Sequence, residues 1–199
     1  VLIPAQELVD GYLPAFDPPH KLDTANVESW GNVVSQEMFF RHRQDLGEAM
    51  ARVPSLAAQA DHEWAQRTGR AHGVIERYRC DGARTVIVTM GSMCGTARDA
   101  VDAMREAGQA VGLVKVRLFR PLPIRGLVEA LNGIEEVIVL DRNYSPGHGG
   151  VLHQELRAAL YGSGVAPRIH GLLAGVGGVN VSPDKIAQFV KQVSQAPAL

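Results

Sequence analysis

From Ala83 onward the chain alternates short β-rich runs with amphipathic helical stretches, and this alternation restricts its fold more than any other feature of the 199 residues. Residues 85–90 (TVIVTM), 111–118, 137–140 and, more weakly, 168–173 read as strands. The stretches between and after them repeat apolar residues at helical spacing: Ala97, Val101 and Met104; Ile124, Leu127, Val128 and Leu131; Leu152, Leu156, Ala159 and Leu160; and Ile186, Phe189, Val190 and Val193. Helix ends are marked where chain chemistry requires. Pro123 suits a first turn, where its missing N–H costs nothing, and Gly133 and Gly162 supply a left-handed residue past a helix end. Ser182, Pro183 and Asp184 form a start signal for the last helix. Strand followed by helix, four times over, predicts an α/β domain with a mainly parallel sheet of four or five strands and helices on both faces.

The text before Ala83 has a different grammar. Residues 10–32 carry three prolines and no period, which predicts an extended connector with no room for a helix. From Gln36 a seven-residue recurrence of Phe39, Leu46 and Val53 reads as a helix that Pro54 interrupts. A second helix follows, with Leu56, Ala60 and Trp64 on one side. The pair has narrow apolar stripes and many charges, so it requires a larger surface to lean on. The expected division is residues 1–82, connector and helices, and residues 83–199, the α/β domain.

Composition excludes several function classes. A hydrophobic content of 46% supports a real core, and a net charge of −1 gives no electrostatic case for nucleic acid. No apolar run approaches the roughly 20 residues of a membrane span and no leader pattern opens the chain, so a cytoplasmic protein is expected. The chain opens on Val1 rather than Met, so a fragment or a processed piece is expected. Cys80 and Cys94 fit neither a disulfide framework nor a Cys-x-x-Cys ligand pair.

Four segments invite a functional reading. The GSMCG bend, with Gly91, Ser92 and Gly95, passes from the first domain strand to a helix, the place where anions meet helix amides in doubly wound sheets. Its spacing matches neither a dinucleotide nor a P-loop fingerprint, so a structural turn is preferred and a phosphate cradle stays open. Cys94 in the same bend could be activated by the helix dipole, but a buried, inert thiol is preferred. Residues 141–150, DRNYSPGHGG, place Arg142, Asn143, His148 and Gly149 at the same edge and read as an anion or interface loop. The glycine run of residues 171–180 reads as a close backbone approach or a turn before the last helix, a reading preferred over a subunit contact. Arg117 and Arg120 stand where one of them could reach that edge, and no carboxylate pair reads as acid and base. A stand-alone nucleotide- or CoA-binding module therefore remains an alternative.

Residues 85–123, with DRNYSPGHGG and ALYG after them, resemble the carboxyl-terminal part of the α subunit in the pyruvate:ferredoxin oxidoreductase (pyruvate synthase) family. Upstream, DPPHKLD and HEWAQRTGRAHGVIERYR resemble the segment joining that family's thiamine-type domain to its second, transketolase C-terminal-like domain. VRLFRP is more similar to the pyruvate than to the 2-oxoglutarate branch. The resemblance implies a complex that interconverts pyruvate plus CoA and acetyl-CoA plus CO2 with electron transfer to ferredoxin, using thiamine diphosphate, Mg and iron–sulfur clusters. It implies that those groups are held by other domains or subunits. No catalytic residue, metal ligand or cofactor is then expected on this chain by itself, and its partners are the other subunits of the complex.

Overall fold

A computed structural model describes residues 2–31 and 33–195. They fall into two compact units, Val1–Ala71 and His72–Leu199.

In the first unit, helix α1 (Gln6–Tyr12) and helix α2 (Gln36–Thr68) are joined by a connector whose described residues form neither helix nor strand. The sequence predicts no helix in residues 10–32, yet α1 reaches Tyr12, because the prolines begin only at Leu13-Pro14. Tyr12 anchors it: its hydroxyl donates to the Ala60 carbonyl at 3.3 Å and its ring lies 5.6 Å from that of Trp64. The expected pair of helices is one helix of 33 residues that runs through Pro54. A proline forfeits one N–H bond and keeps a helical φ, and the flanking Ala, Met, Arg, Gln and Leu residues hold the helix across it. Ser35 caps the start, its hydroxyl accepting from the Met38 N–H, and Gly69 closes the end with a φ of 70°. No residue of α2 is buried, and Phe39, Phe40, Leu46 and Leu56 are exposed.

The second unit carries a five-stranded sheet in the order β1-β3-β2-β4-β5: β1 (Ile75–Tyr78), β2 (Thr85–Met90), β3 (Val111–Val116), β4 (Glu136–Asp141) and β5 (Arg168–Leu173). The α/β architecture with a mainly parallel sheet is as the alternation predicts. β2 pairs in parallel with β3 and β4, and β4 with β5, while β1 runs antiparallel on β3. Strand β1 is the element that sequence reading places in a helical run, since IERY has no apolar alternation. Only the free edge of β3 makes it a strand.

Helices α3 (Met93–Glu106) and α6 (Pro183–Gln195) cover one face, and α4 (Ile124–Leu131) and α5 (Val151–Leu160) the other. Alternate strand residues feed the two cores: Val86, Val88, Val137 and Val139 meet Leu127, Leu131, Leu152 and Leu156, whereas Ile87, Leu113 and Ile138 meet Ala97, Val101, Ile186 and Val190. Because the central strands are buried on both faces, they read as unbroken apolar runs.

On the outer side of β5, the ring of His153 lies where Gly171 lacks a side chain. Burial and the nearby Arg157 push the His153 pKa down from 6.5, against the pull of Asp141. A depressed folded-state pKa means that neutral His153 contributes stability above about pH 6.5, and the contribution is lost as pH falls through the folded value. The unfolding midpoint is accordingly expected to drop on acidification below that range, and His153→Gln to flatten this part of the profile; an unchanged profile in the variant would exclude the histidine as its source.

Candidate functional site

Removing the antiparallel edge strand leaves the parallel order β3-β2-β4-β5, in which the chain first crosses to one side of β2 and then to the other. The crevice beyond the carboxyl ends of β2 and β4 is the switch point where sheets of this type bind ligands. Both loops singled out from sequence end there, and the structure joins them: Arg142 Nη1 donates to Ser92 Oγ at 2.8 Å. A third loop completes the edge. Gly175, with a φ of 75°, brings bare backbone onto Arg142, where an added Cβ would stand 3.2 Å from Nε. A cleft of about 230 Å³ lies between Ser92, Thr96, Arg142 and Asn180.

The two helix starts at this edge differ in what they leave free. At α5, the buried carboxylate of Asp141 accepts from the N–H groups of Leu152 (3.0 Å) and His153 (2.9 Å), and Asn143 Oδ1 accepts from that of Val151 (2.8 Å). Asn143 Nδ2 also donates to Asp141 at 3.0 Å. The first-turn amides of α5 are thus satisfied from within the chain, by a strand-end aspartate acting as a cap. The geometry needs Gly150, since a Cβ there would sit 2.1 Å from Asp141 Oδ2. Gly149 and Ser145 close the preceding loop with a short bridge, the Ser145 N–H donating to Gly149 O at 2.9 Å. His148 has an exposed side chain, and its backbone carbonyl accepts from Gln154 Nε2 at 2.8 Å. Asn143 therefore serves the helix start, while Arg142 is left to face the cleft.

At α3 the bend is made by Gly91, whose φ is 67°. Gly95 already lies in the first turns of the helix, with open space where a Cβ would be. Neither Ser92 nor Cys94 is hydrogen-bonded to a histidine or a carboxylate: Ser92 meets Arg142, and the Cys94 thiol donates to Thr89 O at 3.6 Å. No nucleophile with a positioned base is assembled at this bend. Burial pushes the Cys94 thiol above its ordinary pKa despite the pull of Lys115 and Arg117. Alkylation of the native chain at neutral pH is expected to be slower than that of a free thiol peptide, with the rate restored in denaturant; equal rates would exclude this protection.

Arg117 and Arg120 do not meet at the crevice. Arg120 pairs with Glu155 at 2.7 Å and stacks on Phe119, whereas Arg117 pairs with Glu76 on β1. Glu76 also holds Lys115 at 2.7 Å. Burial would raise the Glu76 pKa, but the hydrogen bonds from Lys115 and Arg117 outweigh it and hold the carboxyl below its ordinary value. Sequence reading misses this cluster because it depends on the register that sets Glu76 opposite Lys115. It also misses buried Glu136 at the amino edge, where Thr85, Ser194, Arg168 and His170 surround the carboxylate at 3.3–3.4 Å. Among the described residues no three His, Cys, Asp or Glu side chains form a metal-binding group, and no helix is long and apolar enough to cross a membrane.

Residues 83–186 match the family model of pyruvate:ferredoxin oxidoreductase core domain II. The chain belongs to that family. Its relatives include pyruvate synthase subunit PorA of Methanothermobacter thermautotrophicus, 35% identical over 96% of this chain and 49% of that subunit. Ketoisovalerate oxidoreductase subunit VorA of Pyrococcus abyssi is 36% identical over 98% of this chain and 50% of its own length. The chain thus spans about half the length of these relatives. Among solved structures, the 2-oxoglutarate:ferredoxin oxidoreductase of Magnetococcus marinus with 2-oxoglutarate, coenzyme A and succinyl-CoA bound is similar over 62% of this chain and 20% of that one, with a TM-score of 0.50 and 25% identity. The family likeness carried by residues 85–123 and the 141–150 loop is therefore that of the chain as a whole.

Proposed function

We propose that this chain is a noncatalytic assembly part of a thiamine-diphosphate-dependent 2-oxoacid:ferredoxin oxidoreductase acting on pyruvate in the cytoplasm. The complete complex interconverts pyruvate plus CoA and acetyl-CoA plus CO2 and passes electrons to ferredoxin. The observation that carries this reading is the family match across the α/β unit, together with relatives similar over nearly the whole chain. The described residues fit neither a cluster nor a metal: Cys80 is buried in the core against Leu113, and Cys94 lies apart at the carboxyl edge. Thiamine diphosphate, Mg and the iron–sulfur clusters belong on this reading to other domains and subunits, and no step is assigned to a side chain here.

The contribution of this chain is contact. Phe16, Leu22 and Val27 of the connector are about nine-tenths exposed, and Phe39, Phe40, Leu46 and Leu56 of α2 are exposed as well, large apolar side chains that a contact surface would cover. Residues 10–72 pack, on this reading, against other domains or subunits of the complex.

Reconstitution tests both parts. CoA-dependent reduction of a viologen dye is measured with pyruvate, 2-ketoisovalerate and 2-oxoglutarate, for the isolated chain and for the complex with its remaining parts. The chain by itself is expected to be inactive and the complex to prefer pyruvate; turnover by the isolated chain would overturn the noncatalytic reading, and a preference for another 2-oxoacid the substrate. Limited proteolysis is expected to cut residues 10–32 in the isolated chain and to be suppressed in the complex. Equal protection in both would show the connector is held by this chain itself.

A further inference from the structure

Lys115 stands in a strand whose six residues are all buried, and its side chain keeps only 10% of its exposure. A lysine ammonium has three N–H donors. One meets Glu76 Oε1 at 2.7 Å, and Nζ stands over the face of Tyr78, 5.6 Å from the ring centroid. Among the described residues no second acceptor meets this ammonium, so two donors of a nine-tenths-buried cation are left over. Glu76 offers no further capacity for charge, because its other oxygen is taken by Arg117. Two cations therefore share one carboxylate.

Beside them a cleft of about 310 Å³ opens between Gly91, Cys94, Lys115, Val116 and Arg117. The absent side chain of Gly91 leaves one wall clear, since nothing lies within 4 Å of the position a Cβ would take. The cleft is distinct from the Ser92–Arg142 crevice, with which it shares no lining residue. Its residual charge is positive, its free groups are donors, and its volume is sufficient for a small anion. We propose that this cleft is a binding site for a small oxyanion, a carboxylate or phosphate group, held by Lys115 and Arg117. The bound anion takes the spare ammonium protons and cancels the charge that Glu76 leaves uncompensated. This inference does not depend on the oxidoreductase reading.

The test titrates the full chain with sodium phosphate and, separately, sodium acetate, at ionic strength held constant with chloride, and follows backbone amide resonances of Gly91, Cys94 and Val116. A saturable shift of these amides with either anion is expected, and the arm that saturates at lower concentration identifies the anion class. Lys115→Met removes a charge-assisted contact and is expected to weaken binding about tenfold or more. Glu76→Gln removes the competing negative charge and is expected to tighten it several-fold, which keeps the test decisive if Lys115→Met fails to fold. Alkylation of Cys94 provides a second readout: bound anion offsets the cations that favour thiolate and narrows access, so labelling slows. Shifts that stay linear with both anions, saturation that Lys115→Met leaves unchanged, or binding that Glu76→Gln does not tighten would each overturn the site.

Discussion

Gly150→Ala is expected to lower the stability of the α/β unit by about 3 kcal/mol, because the added methyl displaces the carboxylate that starts α5. Its Cβ would fall 2.1 Å from Asp141 Oδ2 and 2.6 Å from Asp141 Cβ, and neither the strand end nor the helix start is a flexible tip that can yield. Moving Asp141 strips the Leu152 and His153 amides of their acceptor and leaves a carboxylate 2% exposed without its donors. Losing a cap costs about 1 kcal/mol and leaving a buried charged acceptor unsatisfied about 2 kcal/mol more. Urea unfolding checks it, with the midpoint falling and the slope preserved. Gly95→Ala is the matched control: it lies in α3 with open space around its Cβ position, so it is expected to stabilise by about 0.5–1 kcal/mol. A Gly150→Ala midpoint within error of the parent would show that Asp141 is not the cap of α5.

Gly171→Ala is expected to cost about 2–3 kcal/mol through overpacking, and His153→Ala to return most of that loss when the two are combined. The added Cβ would stand 2.6 Å from the Cγ and Nδ1 of the His153 ring, which reaches Gly171 of β5 from the first turn of α5. The ring is fixed at its base, since the His153 N–H is tied to Asp141, so the clash separates helix from strand. The double variant swaps the contact without leaving a clash, and its stability measured against both single variants isolates the pair. Strictly additive losses would mean that the histidine is not what Gly171 makes room for.

Both glycines are visible in the sequence only as glycines. The 141–150 loop displays an aspartate, an asparagine and a Gly-Gly pair, and nothing in their order reveals that the aspartate turns back across a ten-residue gap to cap the helix. The same loop's Asn143 reads as a ligand group and proves to be part of that cap, whereas Arg142 does reach Ser92 across the crevice. The distinction depends on distances between strand ends, which no local pattern encodes.

By itself the sequence determined the alternation of strand and helix after Ala83, because it is set by side-chain period and local chain chemistry, and residues 85–123 with the 141–150 loop carried the family resemblance. Tertiary structure decided the rest. It made IERY a strand, because the free edge of β3 supplies the backbone partners that the four residues lack on their own. It set Glu76 opposite Lys115, since cross-strand register is a property of two segments and not of either one. It carried α2 through Pro54, a boundary that local rules place there and that the surrounding helix-forming residues override.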